Sequence, residues 1–90
     1  MPSPAEINHW RSEHVYAEMW WCGDEVCDCH QGQIIRNTPN FDSGWPWVHR
    51  DVLWRGKFVS EPTPEEMDEM VAELAAECVR RGIERHEYEP

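Results

Sequence analysis

From residue 63 onward, apolar and acidic positions alternate with a helical period. Met67, Met70, Val71, Leu74, Cys78 and Val79 form one stripe, and Glu65, Asp68, Glu69, Glu73 and Glu77 fall on the opposite face. The spacing predicts a helix over 64–81. Thr63-Pro64-Glu65-Glu66 reads as a capping box with proline at the first helical position. Acids in the first turn and Arg80-Arg81 in the last suit the helix dipole. Gly82 followed by Ile83 predicts a C-terminal cap with its hydrophobic contact.

The rest of the chain reads in shorter pieces. Ser3-Pro4-Ala5-Glu6 is a second capping box, and Ile7, Trp10 and His14 recur at helical spacing, which predicts a short helix over 4–13. Residues 15–21 are rich in aromatics and predict a strand. Residues 22–30 read as a turn, and Gln33-Ile34-Ile35-Arg36 as a returning strand. Residues 37–47 have loop composition. Residues 51–54 and 57–60 predict a hairpin in which Gly56 takes a positive φ. The fold class is therefore α+β. A small antiparallel sheet of three to four strands is packed by one long C-terminal helix, with a short N-terminal helix ahead of it. Adjacency of the strands favours a meander. A single domain over 1–83 and a loose tail over 84–90 complete the reading.

Composition narrows the function. The chain has 90 residues, six of them Trp, and a formal charge of −10. Its blocks 1–31, 32–60, 61–77 and 78–90 carry net −5, +2, −7 and 0. Such a field repels phosphate backbones, so direct nucleic-acid binding is not expected, and a basic partner suits the acids better. The bland alternative is that the acids only keep a small Trp-rich domain in solution. No apolar run is long enough to span a membrane, and the N-terminal residues lack the basic and apolar regions of a signal peptide. A cytoplasmic location is expected.

The cysteines offer candidate chemistry. Cys22, Cys27 and Cys29 lie within eight residues on the predicted turn. With His30 they form a candidate structural zinc site, and His14, His49 and Cys78 are alternative fourth ligands. A second paired hook, usual in such sites, is missing. Reduced and unligated thiols, a disulfide from Cys22 to Cys27 or Cys29, and an iron–sulfur cluster compete with zinc. Cys78 sits in the apolar stripe and reads as core. No phosphate loop, nucleophile elbow or zinc-protease motif is present, so an enzyme is not expected.

Tryptophans offer the other candidate site. Trp45 and Trp47 beside Arg50 read equally as a binding anchor or as packing, whereas Trp20 or Trp21 and Trp54 read as core. Glu65, Asp68 and Glu69 add a steering surface for a basic partner.

The run Leu53-Trp54-Arg55-Gly56-Lys57-Phe58-Val59-Ser60-Glu61-Pro62, the helix ending Arg80-Arg81-Gly82-Ile83, and the Trp21-Cys22-Gly23 and Cys27-Asp28-Cys29 segments resemble small orphan proteins of actinobacterial bacteriophages. The resemblance spans residues 20–83 and carries over no site residues. It implies the host cytoplasm as setting and a host protein as partner. The expected function is a non-enzymatic, acidic protein-interaction domain, a phage accessory factor with a candidate zinc site. The alternatives are a nucleic-acid mimic that blocks a DNA-binding host enzyme, and a small metal-dependent enzyme.

Overall fold

The structure, a computed structural model, describes residues 4–12, 14–23, 28–40 and 47–86. One helical turn, α1 (Pro4–Ile7), is followed by β1 (Arg11–Ser12), β2 (Val15–Trp21), β3 (Cys29–Asn40), β4 (Trp47–Arg55), β5 (Val59–Ser60) and α2 (Pro64–Arg80). The sheet is antiparallel throughout, in the order β1-β2-β3-β4, and β5 pairs with β3. The predicted α+β class is present, and β1 to β4 form the expected meander, but β5 departs from it and makes five strands instead of three to four.

α2 is built from local signals at both ends. Thr63 Oγ1 accepts from the Glu66 amide and Glu66 Oε1 accepts from the Thr63 amide, both at 3.2 Å. At the far end Gly82 has φ 72°, its amide donates to Val79 O, and the Ile83 amide reaches back to Cys78 O. That is a Schellman closure, and Ile83 is buried against the core as the motif requires. Between the caps Met70, Val71, Leu74, Ala75 and Cys78 are buried. Two stripe assignments change. Val79 is 65% exposed, because it follows Cys78 by one residue and so lies about 100° round the helix from it. Glu77, placed on the solvent face by the pattern, is largely covered by the side chains of Arg80 and Arg81.

The core lies between α2 and one face of the sheet. Ile7, Ala17, Ile34, Val71, Leu74, Cys78 and Ile83 are its buried members. The helix comes closest at Gly32 of β3, where a Cβ would lie 3.3 Å from Leu74 Cδ2. A register shift between Ile34 and Ile35 leaves Leu53 as the extra residue of β4. This bulge lets Leu53 and Trp54 both pack on the core, although adjacent strand residues normally diverge.

The remaining differences concern strand extent and partner. The N-terminal helix predicted over 4–13 is a single turn, and the chain extends at Arg11–Ser12 and turns back through His14 at φ 63°. Four residues satisfy few helical hydrogen bonds, so pairing with β2 wins. The returning strand runs from Cys29 to Asn40, well beyond the predicted 33–36, and Trp47, assigned to the loop, begins β4. The predicted hairpin around Gly56 does not form. Gly56 lacks a positive φ, its amide donates to Gly32 O, and β5 continues along β3 at Cys29–His30. Residues 84–86, expected in a loose tail, are hydrogen-bonded to the segment 9–11.

Candidate functional site

A strand sends successive side chains to opposite faces. Val15, Ala17 and Met19 meet the core, so Tyr16, Glu18 and Trp20 occupy the other face of β2. Gly32 and Ile34 face α2, so Gln31, Gln33, Ile35 and Asn37 occupy the other face of β3. Val52 stands opposite Ile35, and Arg50 opposite Asn37. No helix covers this second face among the described residues.

Its centre is nevertheless buried. Ile35 is 0% exposed and Gln33 5%. Glu18 is level with Gln33 and Arg50 with Asn37, and the two form an ion pair. The line between them crosses β3 over residue 35, so the ion pair, flanked by Tyr16 and Val52, lies above Ile35. The long side chains bring their methylene stems to the apolar residue and keep their charges in water. Beside this bridge the Gln31 amide donates to Gly56 O at 2.8 Å, and the Gln33 amide donates to Gln31 Oε1 at 3.2 Å. The pair holds both glutamines against the sheet.

A cleft of about 330 Å³ opens there, lined by Trp20, Gln31, Gln33, Arg50, Val52 and Arg55. Trp20 is 37% exposed and Val52 38%. Arg55 is exposed and makes no ion pair among the described residues. The sequence singled out Arg50 but missed Trp20, Gln31, Gln33, Val52 and Arg55. Trp20 or Trp21 was expected in the core, but Trp20 has its ring on the uncovered face and Trp21 is 51% exposed, while Trp54 does pack on the core. The signal was the alternation Tyr16, Glu18, Trp20 against Val15, Ala17, Met19, which needed the helix-facing side to be known first.

The other partner-binding candidates lie elsewhere. Trp45 is outside the described residues, and Trp47 sits in β4 opposite Asn40. Glu65, Asp68 and Glu69 are exposed on α2, on the other side of the sheet from Arg50. The expected set is therefore not one surface. Of the N-terminal acids, Glu18 does not extend the α2 surface, because it is spent on Arg50 across the sheet, and Glu6, on the turn that packs against α2, lies 3.8 Å from Arg85.

The cysteine turn falls between β2 and β3. The last β2–β3 pair is Trp21 with His30, so Cys22 and Cys29 flank the turn, and Cys27 lies outside the described residues. Cys29 is oxidised in a disulfide, with its sulfur 3.8 Å from Ser60 Oγ. A disulfide sulfur is not a thiolate ligand. His30 follows Cys29 in the strand, so its ring is on the opposite face, and its Nδ1 lies 3.3 Å from Asp28. His14 and His49 meet β3 near Asn37 and Thr38, eight to nine residues from Cys29, which is roughly 25–30 Å along a strand. Cys78 is buried among Leu74, Ile83 and their neighbours, and burial foremost, then the nearby Glu77 charge, pushes its thiol up to about 11. Among the described residues no three His, Cys, Asp or Glu side chains converge.

No helix among the described residues is long and apolar enough to cross a membrane. No protein-family model, curated protein or solved structure matches the chain.

Proposed function

We propose that this protein is a non-enzymatic interaction domain that docks a partner protein on the uncovered face of its sheet. One observation carries the reading: Trp20 and Val52 stand exposed beside two guanidinium groups on a face that no helix covers among the described residues. Trp and Arg are the residues most enriched at interface hot spots, and a half-exposed Trp on a rigid strand loses little entropy on binding. The anchor is Trp20 rather than the Trp45 and Trp47 that the sequence suggested. A host protein is the partner class that the resemblance to phage proteins implies. The acids of α2 face away from this surface and act on solubility. A nucleic-acid mimic would need carboxylates spread over a large continuous area, and Glu18, on the opposite face of the sheet, does not join the α2 acids in one.

Crosslinking tests the reading. A photoreactive benzoylphenylalanine is placed at Trp20 or at Glu69 and exposed to an actinobacterial lysate. Capture from position 20, competed by wild-type protein but not by Val52→Asp, is expected. Capture from position 69 alone would shift function to the acidic helix and favour the mimic.

A further inference from the structure

We infer that the cleft between Trp20 and Arg55 binds a carboxylate-bearing segment of an extended peptide, one Asp or Glu two residues from an apolar side chain, so that both face the cleft. The inference rests on the proposed docking face and names what that face recognises. Arg50 and Arg55 both line the cleft, but their electrostatic states differ. Arg50 is neutralised by Glu18, and the pair serves to cover Ile35. Arg55 lacks an ion-pair partner among the described residues and stands opposite Gln33 in the register. It offers a planar fork of donors that matches a carboxylate in bidentate fashion. Trp20 and Val52 supply exposed apolar area at the same cleft.

The glutamines point to a peptide rather than a free anion. Gln33 is a buried polar side chain on the floor of the cleft, and its amide and that of Gln31 are oriented by bonds to each other and to Gly56 O. Each amide has two N–H donors, and each spends one on these bonds. The second donor of each remains for a main-chain carbonyl.

Charge sets the limit on the ligand. The chain carries −10 overall, so a polyanion meets repulsion that one uncompensated guanidinium does not offset. A single carboxylate meets little of it. The exposed α2 acids lie on the other side of the sheet from the cleft, and physiological salt screens exposed charges beyond about 8 Å. A single-stranded nucleic acid would stack on Trp20 but brings a phosphate at every nucleotide.

Side-chain NMR of the intact protein tests this with three probes: acetyl-Leu-Thr-Glu-Thr-Leu-amide, acetyl-Leu-Thr-Lys-Thr-Leu-amide and hexathymidylate, the peptides placing one charge and two leucines on the same side of an extended chain. The acidic peptide should move the Trp20 Nε1 and Arg55 Nε signals saturably and more tightly than either other probe. Arg55→Gln should weaken it about tenfold or more, as loss of a buried charged contact does. Arg55→Lys should recover part of the affinity, and Lys57→Gln, outside the cleft, should bind like wild type. Equal binding of the acidic peptide by Arg55→Gln overturns the inference, as does tighter binding of hexathymidylate. Tighter binding of the lysine peptide at the same signals overturns the ligand class and leaves the docking face standing. The docking face itself falls only with the crosslinking result at position 20.

Discussion

The two faces of the β-sheet are made by alternate residues of the same strands, yet they reach burial by different means. Under α2 the residues are small or aliphatic: Ala17, Gly32, Ile34 and Leu74 meet without a polar atom between them. On the other face Ile35 is equally buried, but an ion pair and neighbouring side chains cover it in place of a second layer. A dry, close-packed face tolerates almost no change of volume or charge. A face covered by a surface ion pair loses little when a partner displaces it, because such pairs contribute about 1 kcal/mol or less. The structural face and the candidate functional face are thus separated by one strand thickness.

Four sets of substitutions sharpen this contrast, from the largest effect to the smallest. Leu74→Asp places an unpaired charge at the centre of the covered face, where the cost is several kcal/mol, and should abolish the cooperative thermal transition. Glu73→Ala, exposed on the same helix, should stay within about 0.5 kcal/mol of wild type. If both variants melt together, the covered face is misassigned.

Gly32→Val comes next. Its Cβ alone would sit 3.3 Å from Leu74 Cδ2, and two added methyl groups force α2 outward. Overpacking of this kind costs about 1–3 kcal/mol, measured by urea denaturation. Gly32→Val combined with Leu74→Ala should recover part of the loss, since the second change opens the space the first one fills.

On the uncovered face, Glu18→Gln and Arg50→Ala should each cost about 1 kcal/mol or less, because both partners keep contact with water. A double-mutant cycle should give a coupling energy within that range, reduced by added salt. A coupling of several kcal/mol would mean that this face stabilises the fold as strongly as the covered one does, and it would then be a poor docking surface.

The smallest effect concerns the end of α2. Hydrogen bonds from Arg80 and then Arg81 hold the Glu77 carboxyl below its ordinary value of 4.5. A carboxylate lowered in the folded state binds its proton more readily when unfolded. Its contribution to stability is therefore present above the unfolded value and is lost as pH falls through the folded one. Glu77→Gln should lower Tm slightly at neutral pH, where the carboxylate contributes, and converge with wild type as pH falls below 4.5, which flattens the acid limb. An unaltered acid limb would show that the two arginines contribute nothing to folding.

How much of this was legible in the chain follows from the range of each interaction. α2 could be read almost residue by residue. Its capping box joins Thr63 to Glu66 and its closure joins Cys78 to Ile83, so both depend on partners within five positions. The stripe Met70, Val71, Leu74 and Cys78 follows from helix geometry alone. Only at its edge, at Glu77 and Val79, did a one-residue rotation misplace a side chain.

The sheet was legible as strands in a meander, but their partners and faces were not. The pairing of β5 with Cys29–His30 joins residues thirty apart, and nothing near Gly56 distinguishes that pairing from a hairpin back onto β4. His30 follows Cys29 in a strand and so takes the opposite face, and His14 and His49, alternatives for a fourth ligand, meet the far end of β3, while Cys27 lies outside the described residues. The register of β2, β3 and β4 also created the candidate site. Trp20, Gln33, Arg50 and Arg55 come from three strands, and they share a cleft only because the register sets them on one face. By itself the sequence determined what short-range hydrogen bonding and helical periodicity can specify: α2, its caps, its apolar stripe and the α+β class. Tertiary structure alone decided which face of each strand α2 would cover. Alternation defines two equivalent faces, and only the packed helix breaks their symmetry.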